Sequence, residues 1–126
     1  MEKAILLNVN KNTVSVIDLP ETLSGLYNAL DIDMIEIRHA RISGVIYTIV
    51  CDEEGLLKDS CRVSVRDFMT GEPMLVGNIL VCREDGEDIA GIRNEDLSAV
   101  LKNIKQIQYI MQDVPRSNMV LEADLV

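Results

Sequence analysis

Two short stretches of the sequence contain residue types that bind metals or act as nucleophiles. IVCDEEGLL at 49–57 and LVCREDGEDI at 80–89 each place a cysteine between apolar residues and a run of acidic residues. A zinc site needs ligands at characteristic spacings, but no two cysteines form a CxxC pair and His39 is the only histidine. A nucleophilic thiolate at Cys51 or Cys82 needs a positive neighbourhood, whereas the acidic residues that follow both cysteines would raise the thiol pKa. The two stretches therefore predict reduced, buried thiols and acidic turns, with no metal site.

Other motifs of metal-binding and catalytic proteins are also missing from the sequence. In an EF-hand loop the glycine stands at position six, so Gly55 or Gly86 would put a valine at position one, where calcium needs a carboxylate. The chain has no GxxxxGK[ST], GxGxxG or GxSxG motif for phosphate, dinucleotide or hydrolase chemistry. We therefore expect a protein that is not an enzyme, with no catalytic residue and no cofactor. An unrecognised nucleotide-processing enzyme is the less favoured alternative.

Basic residues are the remaining candidates for a ligand site. Guanidinium groups bind phosphate oxygens in a bidentate geometry. Several arginines lie at predicted strand ends or in loops, where they could line a pocket for a small phosphorylated nucleotide. The opposing interpretation is that each arginine balances neighbouring acidic residues on the surface. The candidate ligand-binding residues are Arg38, His39, Arg41, Arg62, Arg66, Arg83 and Arg93.

The composition favours a single acidic globular domain. The 126 residues carry a net charge of −9, so the averaged field repels duplex nucleic acid and anionic membranes. No apolar run approaches the roughly 20 residues of a membrane span, and the first residues do not resemble a secretion signal. We expect a cytoplasmic protein without direct nucleic-acid or membrane partners. Aromatic residues make up only 3% of the chain, which disfavours base stacking; the aromatic residues present are Tyr27, Tyr47, Tyr109 and Phe68.

Hydrophobic patterning predicts a largely antiparallel sheet. Apolar segments at 4–9 and 13–18 flank a polar turn and indicate a hairpin. The nearly continuous apolar segment at 44–51 predicts a central strand that is covered on both faces. Residues 58–73 have the weakest pattern, although their RVSV sequence could form a strand. Further strands are predicted at 34–40, at 74–82 with an interruption at Gly77, and at 89–92.

Two helices are predicted between these strands. Pro20 and the apolar spacing over 23–30 indicate the first helix. The second begins at Asn94, follows an apolar stripe to Met111 and ends at Pro115. The order of the elements predicts an α+β fold, with a mostly antiparallel sheet and two helices packed on one face.

The predicted domain spans residues 1–112, and residues 113–126 form a C-terminal tail. The part of the tail after Pro115 contains apolar residues of the types that pack in cores, namely Met119, Val120, Leu121, Leu125 and Val126. We expect it either to dock on its own sheet or to cross to a partner subunit. A homo-oligomer is therefore expected, with the tail as a possible contact between subunits.

The order of several segments resembles a known family. VIDLPETLSGLYNALD, IEI, YTIVCDEEGLL, MLVGNILVC and GEDIAGIRNEDLSAVL, within residues 4–104, are similar to segments of small uncharacterised proteins of phages, prophages and plasmids. Those proteins are grouped as a domain of unknown function. The resemblance implies a hairpin, a short helix, a glycine-containing strand and a final helix with an acidic first turn, but no activity. The longer segment at 58–73 and the tail depart from the family pattern.

The resemblance implies a setting on a mobile genetic element, where small acidic proteins often interfere with a host system. The leading hypothesis is a non-enzymatic accessory protein in phage–host conflict. It would be an oligomeric sponge that binds and sequesters a nucleotide immune signal in the cytoplasm of the host bacterium. The alternative is an acidic protein–protein inhibitor, or a mimic of DNA, that blocks a host defence protein.

Overall fold

The fold is predominantly β, with two short helices as a minor part. The computed structural model describes residues 2–55 and 61–126. The elements are β1 (Lys3–Asn8), β2 (Thr13–Asp18), α1 (Leu23–Leu30), β3 (Ile35–Ile42), β4 (Val45–Asp52), β5 (Val63–Asp67), β6 (Pro73–Val76), β7 (Ile79–Asp85), β8 (Asp88–Ala90), α2 (Asn94–Leu101), β9 (Ile104–Met111) and β10 (Val114–Leu125). The strands form one sheet in the order β2-β1-β7-β4-β3-β10-β5-β6, with β8 paired to β7 and β9 to β10. The strand pairs are antiparallel except for the parallel pair of β5 with β10. Within the described residues, neither helix is long and apolar enough to cross a membrane.

The sheet curls so that one of its faces encloses the main hydrophobic core. Ile5 of β1 belongs to the same buried cluster as Val65 of β5 and Leu121 of β10, which lie towards the other end of the strand order. The turn between β1 and β2 also reaches β10, because the side-chain oxygen of Asn12 accepts a hydrogen bond from the backbone N–H of Met119 at 2.7 Å. Burial of apolar side chains from both parts of the sheet therefore stabilises the curled form.

The two helices lie on opposite faces of the sheet, so the prediction that both pack on one face was wrong. Leu30 of α1 packs in a cluster with Leu80 of β7. Val100 of α2 packs in the main core, which contains the next residue of β7, Val81. Successive strand residues point to opposite faces. Both faces of the central strands are apolar, so each face is covered by one helix. The apolar pattern of each helix, taken by itself, did not predict on which face the helix packs.

The predicted hairpin, first helix and central strand are confirmed. β1 and β2 pair in antiparallel orientation along their whole length. α1 begins after Thr22, whose side-chain oxygen accepts a hydrogen bond from the Gly25 N–H at 3.0 Å. β4 lies between β3 and β7, with buried residues on both faces. The interruption at Gly77 is also confirmed, since this residue has a φ of 86° between β6 and β7.

The second helix is shorter than predicted, because α2 ends at Leu101 and residues 104–111 form β9. The side-chain amide of Asn103 donates a hydrogen bond to the carbonyl oxygen of Ala99 at 2.7 Å, at the end of the helix. Ile104, Ile107 and Met111 fit a helical spacing, but β-branched residues also favour strands. Pairing with β10 decides between the two, and tertiary contacts of this kind override local propensity.

The C-terminal segment docks on its own sheet as β10, which is one of the two alternatives predicted for the tail. β10 pairs with β9 over residues 114–121, with β5 over 121–123 and with β3 at 124–125. Asn118 and Leu121 in this strand have 0% exposure. Residues on both sides of position 112 therefore belong to one sheet, and a contact between subunits stays a prediction.

The segment with the weakest sequence pattern is described from Cys61 onward, and residues 58–60 lie outside the described residues. The RVSV sequence contributes to β5, whose register against β6 shifts around Val65. The loop after β5 is held by Asp67, whose Oδ2 accepts hydrogen bonds from the N–H groups of Met69 at 3.0 Å and Thr70 at 2.8 Å. This loop carries Phe68 at the surface.

Removal of β10 tests its importance for the whole sheet. A chain that ends at residue 113 should lose cooperative thermal unfolding and chemical-shift dispersion, because three strands lose a partner and the main core loses Leu121. Deletion of Val126 alone, which is 57% exposed, should leave both measurements nearly unchanged. A sharp unfolding transition in the chain ending at 113 would contradict this account of β10.

The turn between β9 and β10 offers a stabilising change. Gln112 and Asp113 have φ angles of 53° and 63°, which favour asparagine and glycine in a two-residue hairpin turn. The double variant Gln112→Asn, Asp113→Gly should raise the free energy of unfolding by about 1 kcal/mol in urea denaturation. The opposite change in the turn after β3, Gly44→Ala at a φ of 83°, should destabilise the protein by a similar amount. An unchanged stability in the double variant would show that the turn is not strained.

Candidate functional site

Arg83, one of the predicted ligand-binding residues, belongs to a buried network around Asp96. Arg83 donates two hydrogen bonds to this carboxylate, from Nε at 2.9 Å and Nη2 at 2.7 Å. The Tyr47 hydroxyl donates a third at 2.7 Å, and the backbone N–H of Arg93 donates a fourth at 2.8 Å. The Arg83 guanidinium also lies 5.3 Å from the centre of the Tyr47 ring. These contacts fix the start of α2 against β4 and β7, so Arg83 has a structural role.

The same network shifts the pKa values of its members. Hydrogen bonds from Arg83 are the main reason why the pKa of Asp96 falls to about 2, although the carboxylate is only 2% exposed. Burial is the main reason why the pKa of Tyr47 rises to about 12, and the neighbouring Asp96 carboxylate adds to this rise. At neutral pH the network therefore holds a carboxylate, a guanidinium and a neutral phenol. Each carboxylate oxygen of Asp96 accepts two hydrogen bonds.

Arg38 and His39, two basic residues of β3, do not converge on one site. Arg38 pairs with Glu36 at 3.4 Å, and His39 pairs with Glu84 at 3.0 Å. Alternation along the strand places Arg38 and His39 on opposite faces of the sheet. Both pairs are partly exposed to solvent, where ion pairs contribute little to stability. The Arg93 side chain is exposed at the start of α2.

Cys51 and Cys82 also lie apart and are held as neutral thiols. Cys51 is in the main core, while Cys82 belongs to the cluster on the opposite face of the sheet. Burial raises the pKa of each thiol to about 12, with smaller increases from the charge of Glu36 near Cys51 and Glu84 near Cys82. In the described part of the chain, no three His, Cys, Asp or Glu side chains are placed to hold a metal ion. A thiol that stays protonated at neutral pH is a poor nucleophile.

An open cleft of about 440 Å³ brings two of the predicted residues close together. It lies between the turn after β3, the loop after β5 and the end of β10, and Arg41 contributes directly to its lining. Arg66 borders the cleft through its ion pair with Glu122, a lining residue. Pockets of this size hold small organic ligands. The lining residues are Arg41, Ile42, Ser43, Gly44, Phe68, Asn103, Glu122, Ala123 and Asp124.

The carboxylates that line the cleft are paired with basic side chains. Glu122 accepts hydrogen bonds from Arg66 Nε at 3.1 Å and Nη2 at 2.9 Å, and it pairs with Lys105 at 2.9 Å. Lys105 is the main cause, followed by Arg66, of a lowered pKa at Glu122. Arg41 Nη1 pairs with Asp124 at 3.2 Å. The two carboxylates that line the cleft, Glu122 and Asp124, are thus each paired with at least one cation.

An exposed aromatic ring and a polar amide complete the cleft. Phe68 is 56% exposed, and its backbone N–H donates to the carbonyl oxygen of Ala123 at 3.1 Å, which fastens the loop to β10. The Asn103 side-chain amide donates to Ser43 Oγ at 3.1 Å, which fixes its orientation. The cleft can therefore offer a flat apolar surface, a hydrogen-bonding edge and the Arg41 guanidinium to one ligand.

Sequence reasoning named some residues of the cleft but not their arrangement. Phe68 was noted as one of the few aromatic residues, although the composition disfavoured base stacking, and Arg41 was named as a ligand-binding candidate. Asn103 was missed because it fell inside the predicted long helix. The remaining candidate, Arg62, lies away from the cleft beside Tyr109, together with Arg116, which was missed because it fell in the predicted tail.

The buried Asp96 carboxylate generates a prediction on stability and pH. Its folded pKa of about 2 lies below the unfolded value of roughly 3.9, so its contribution is fully present above pH 4 and lost as the pH falls towards 2. Asp96→Asn should lower the free energy of unfolding at pH 7 by about 2–3 kcal/mol, because Arg83 loses its charged partner. It should also reduce the loss of stability between pH 4 and 2, measured by urea denaturation.

The exposed pair of Asp124 with Arg41 supplies the matched control. Asp124→Asn should cost less than about 1 kcal/mol at pH 7, because both side chains are partly solvated, at 39% and 47% exposure. If Asp96→Asn were no more destabilising than Asp124→Asn, the network would not have the structural role described.

Comparison with known proteins places the chain in a family without assigning an activity. Comparisons with curated proteins and with solved structures found no match. Residues 1–105 match the sequence model of a family described as a domain of unknown function, DUF3846. This confirms the prediction of an uncharacterised family over about residues 4–104. Since the match covers most of the 126 residues, the chain belongs to the DUF3846 family of domains of unknown function.

Proposed function

We propose that this protein is a non-enzymatic binding protein that sequesters a small nucleotide in the cleft between Arg41 and Phe68. The observation that carries the proposal is the exposed Phe68 ring beside a partly solvated arginine in a cleft of about 440 Å³. A nucleobase stacks on an aromatic face, and a guanidinium binds phosphate oxygens. The two groups therefore match the two ends of a nucleotide.

The polar residues of the cleft suit the remaining part of such a ligand. The Asn103 side chain and the Ser43 hydroxyl lie next to each other, bonded at 3.1 Å, and offer hydrogen bonds to a base edge or a sugar. The pair of Arg41 with Asp124 is partly solvated and involves only one guanidinium nitrogen. A phosphate can therefore replace or share this partner at small cost.

A binding role without turnover fits the chemistry of the described residues better than catalysis does. The thiols of Cys51 and Cys82 are protonated at neutral pH. The imidazole of His39 is paired with Glu84 and does not line the cleft. The carboxylates nearest to the cleft are already paired with cations, so neither is available as a general base.

The biological setting is the more specific part of the proposal. It rests on the resemblance to proteins of phages, prophages and plasmids, on which accessory proteins often counter host defences. In that setting the nucleotide is an immune signal of the host bacterium, and its sequestration protects the mobile element. Assembly into an oligomer would multiply the number of sites in one particle.

Calorimetric titration tests the proposal. The full chain should bind one or more members of a panel of cyclic dinucleotides and cyclic ADP-ribose isomers without consuming them. Phe68→Ala and Arg41→Gln should each weaken that binding about tenfold or more, since stacking and charge-assisted hydrogen bonds each contribute at least about 1.4 kcal/mol. Nucleotide released by denaturing the purified protein should absorb near 260 nm, and the chain contains no Trp.

Met69→Ala is the control for this experiment. Met69 follows Phe68 in the same loop and is 80% exposed, but it does not line the cleft, so its replacement should leave binding unchanged. The proposal would be abandoned if no member of the panel bound and no nucleotide were released. Equal binding by the original chain and Phe68→Ala would place the ligand elsewhere, and consumption of the nucleotide would make the protein an enzyme.

A further inference from the structure

Strand β9 forms an open edge of the sheet. It pairs with β10 on one side, and no other strand in the described ranges pairs with it. The backbone N–H of Glu122 donates to the carbonyl oxygen of Asn103 at 2.8 Å, so odd-numbered residues of this segment direct their backbone groups towards β10. Because these directions alternate in an antiparallel ladder, Gln106, Gln108 and Ile110 direct theirs towards the open edge. In the part of the chain that the structure describes, the backbone groups of these three residues have no hydrogen-bond partner.

This open edge lacks the features that usually prevent edge strands from pairing. Proteins protect such edges with prolines, charged side chains, bulges or very short strands. β9 has eight residues, and its segment 106–111 contains neither a proline nor a charged residue. The opposite edge of the same hairpin is protected by Pro115 of β10, which has no N–H. Met119, which has the same parity as Pro115, donates its N–H to Asn12 on the side away from β9.

Other edges of the described sheet are less suited to pairing. β8 has three residues, and β6 begins with Pro73. β2 ends at Asp18, beside a groove whose lining includes Glu2, Glu21 and Asp88. Two chains with a net charge of −9 repel each other, and the repulsion is strongest where acidic residues meet. β9 contains no acidic residue, so a second copy can approach this edge with less repulsion.

The sequence of β9 is complementary to itself in antiparallel orientation. The outward backbone groups of two copies meet in pairs when the Gln108 residues lie opposite each other. In that register Gln106 of each copy lies opposite Ile110 of the other, and Ile107 lies opposite Tyr109. Pairs of an aromatic and a β-branched residue stabilise neighbouring strands.

The charges next to β9 favour the same orientation. Lys102 is exposed at the end of α2, before β9, and Asp113 is exposed in the turn after it. Antiparallel pairing of two copies brings the end of one β9 strand to the beginning of the other. Asp113 of each copy therefore comes close to Lys102 of the other, which favours association of the copies in this orientation.

We propose that β9 joins two copies of this chain into a symmetric dimer, with antiparallel pairing of the two β9 strands and Gln108 at the two-fold axis. The pairing adds about six backbone hydrogen bonds between the copies and makes their two sheets continuous. Ile110, which is 74% exposed in the single chain, loses part of its exposed surface. Gln106, Gln108 and Ile110 do not line the nucleotide cleft, so the dimer is independent of the proposed function.

Sedimentation velocity over a wide range of protein concentrations tests the dimer. The full chain should shift from the mass of one chain to that of two as the concentration rises, because a single strand pair buries a small area and dissociates on dilution. Gln108→Pro should abolish the shift, since it removes an outward N–H at the axis and leaves the hydrogen bonds to β10 in place. Ser117→Pro is the matched control, because it makes the same change at the protected edge of the hairpin, and it should dimerise as the original chain does.

Cysteine cross-linking tests the register in variants that keep every backbone N–H. Gln108→Cys should form a disulfide between two copies under mild oxidation, since opposite Cα atoms about 5.5 Å apart lie within the range of a disulfide. Ile110→Cys should not, because its two copies lie roughly 14 Å apart in this register. The natural thiols of Cys51, Cys61 and Cys82 are buried and should not contribute.

Three outcomes would overturn the inference. They are a chain that stays monomeric at every concentration, a folded Gln108→Pro variant that dimerises as the original chain does, and cross-linking of Ile110→Cys as efficient as that of Gln108→Cys. If Gln108→Pro does not fold, the cysteine variants decide. The readouts are mass and cross-linking without any nucleotide, so failure of the nucleotide proposal leaves this result unaffected.

Discussion

Strand β10 is the element on which the rest of the structure depends, because it changes partners along its length. Its first part pairs with β9, its middle with β5 and its last residues with β3. The change of partner at Leu121 joins the two parts of the curled sheet, and this leucine is fully buried in the core they share. Alternation places Glu122 and Asp124 on the face of the strand opposite to Leu121. The same strand therefore supplies Glu122, Ala123 and Asp124 to the candidate cleft.

The acidic composition determines which basic residues remain available for ligands. The guanidinium of Arg83 is used to hold Asp96, and Arg66 is used to hold Glu122. The interpretation that arginines balance nearby acids is thus correct for several of the residues singled out in the sequence. Binding capacity is left where the pairing is weak, as at Arg41, or missing in the described residues, as at Arg62. The net charge does not reveal which arginines are paired with carboxylates, because the pairing depends on which strands become neighbours in the sheet.

Local patterns in the sequence were sufficient for the elements whose partners are close in the chain. The hairpin of β1 with β2 and the capped start of α1 at Thr22 are of this kind. Patterns failed where a distant partner decided the outcome, as in β9, whose apolar spacing suits a helix until β10 pairs with it. Asn103 and Arg116 were missed for the same reason, because the first fell in the predicted long helix and the second in the predicted tail.

The family match ends inside the sheet. It reaches residue 105, at the beginning of β9, whereas the sheet also contains β10. The cleft contains Arg41, Phe68 and Asn103 from the matched region, and Glu122 and Asp124 from beyond it. The lining of the cleft, including the ion pair of Arg41 with Asp124, thus depends on residues of both regions.

The hydrogen bond between Asn12 and Met119 joins positions 107 residues apart, and this separation has a consequence for folding in the cell. Such non-local contacts form slowly, because the entropy of closing a long loop is lost before the contacts can stabilise the chain. At a synthesis rate of about 5–20 residues per second, the first hairpin waits roughly 5–20 s for its partner to be translated. During that time the apolar face of β1 is exposed on the nascent chain. We therefore expect demand for a ribosome-associated chaperone that shields this face until β10 emerges.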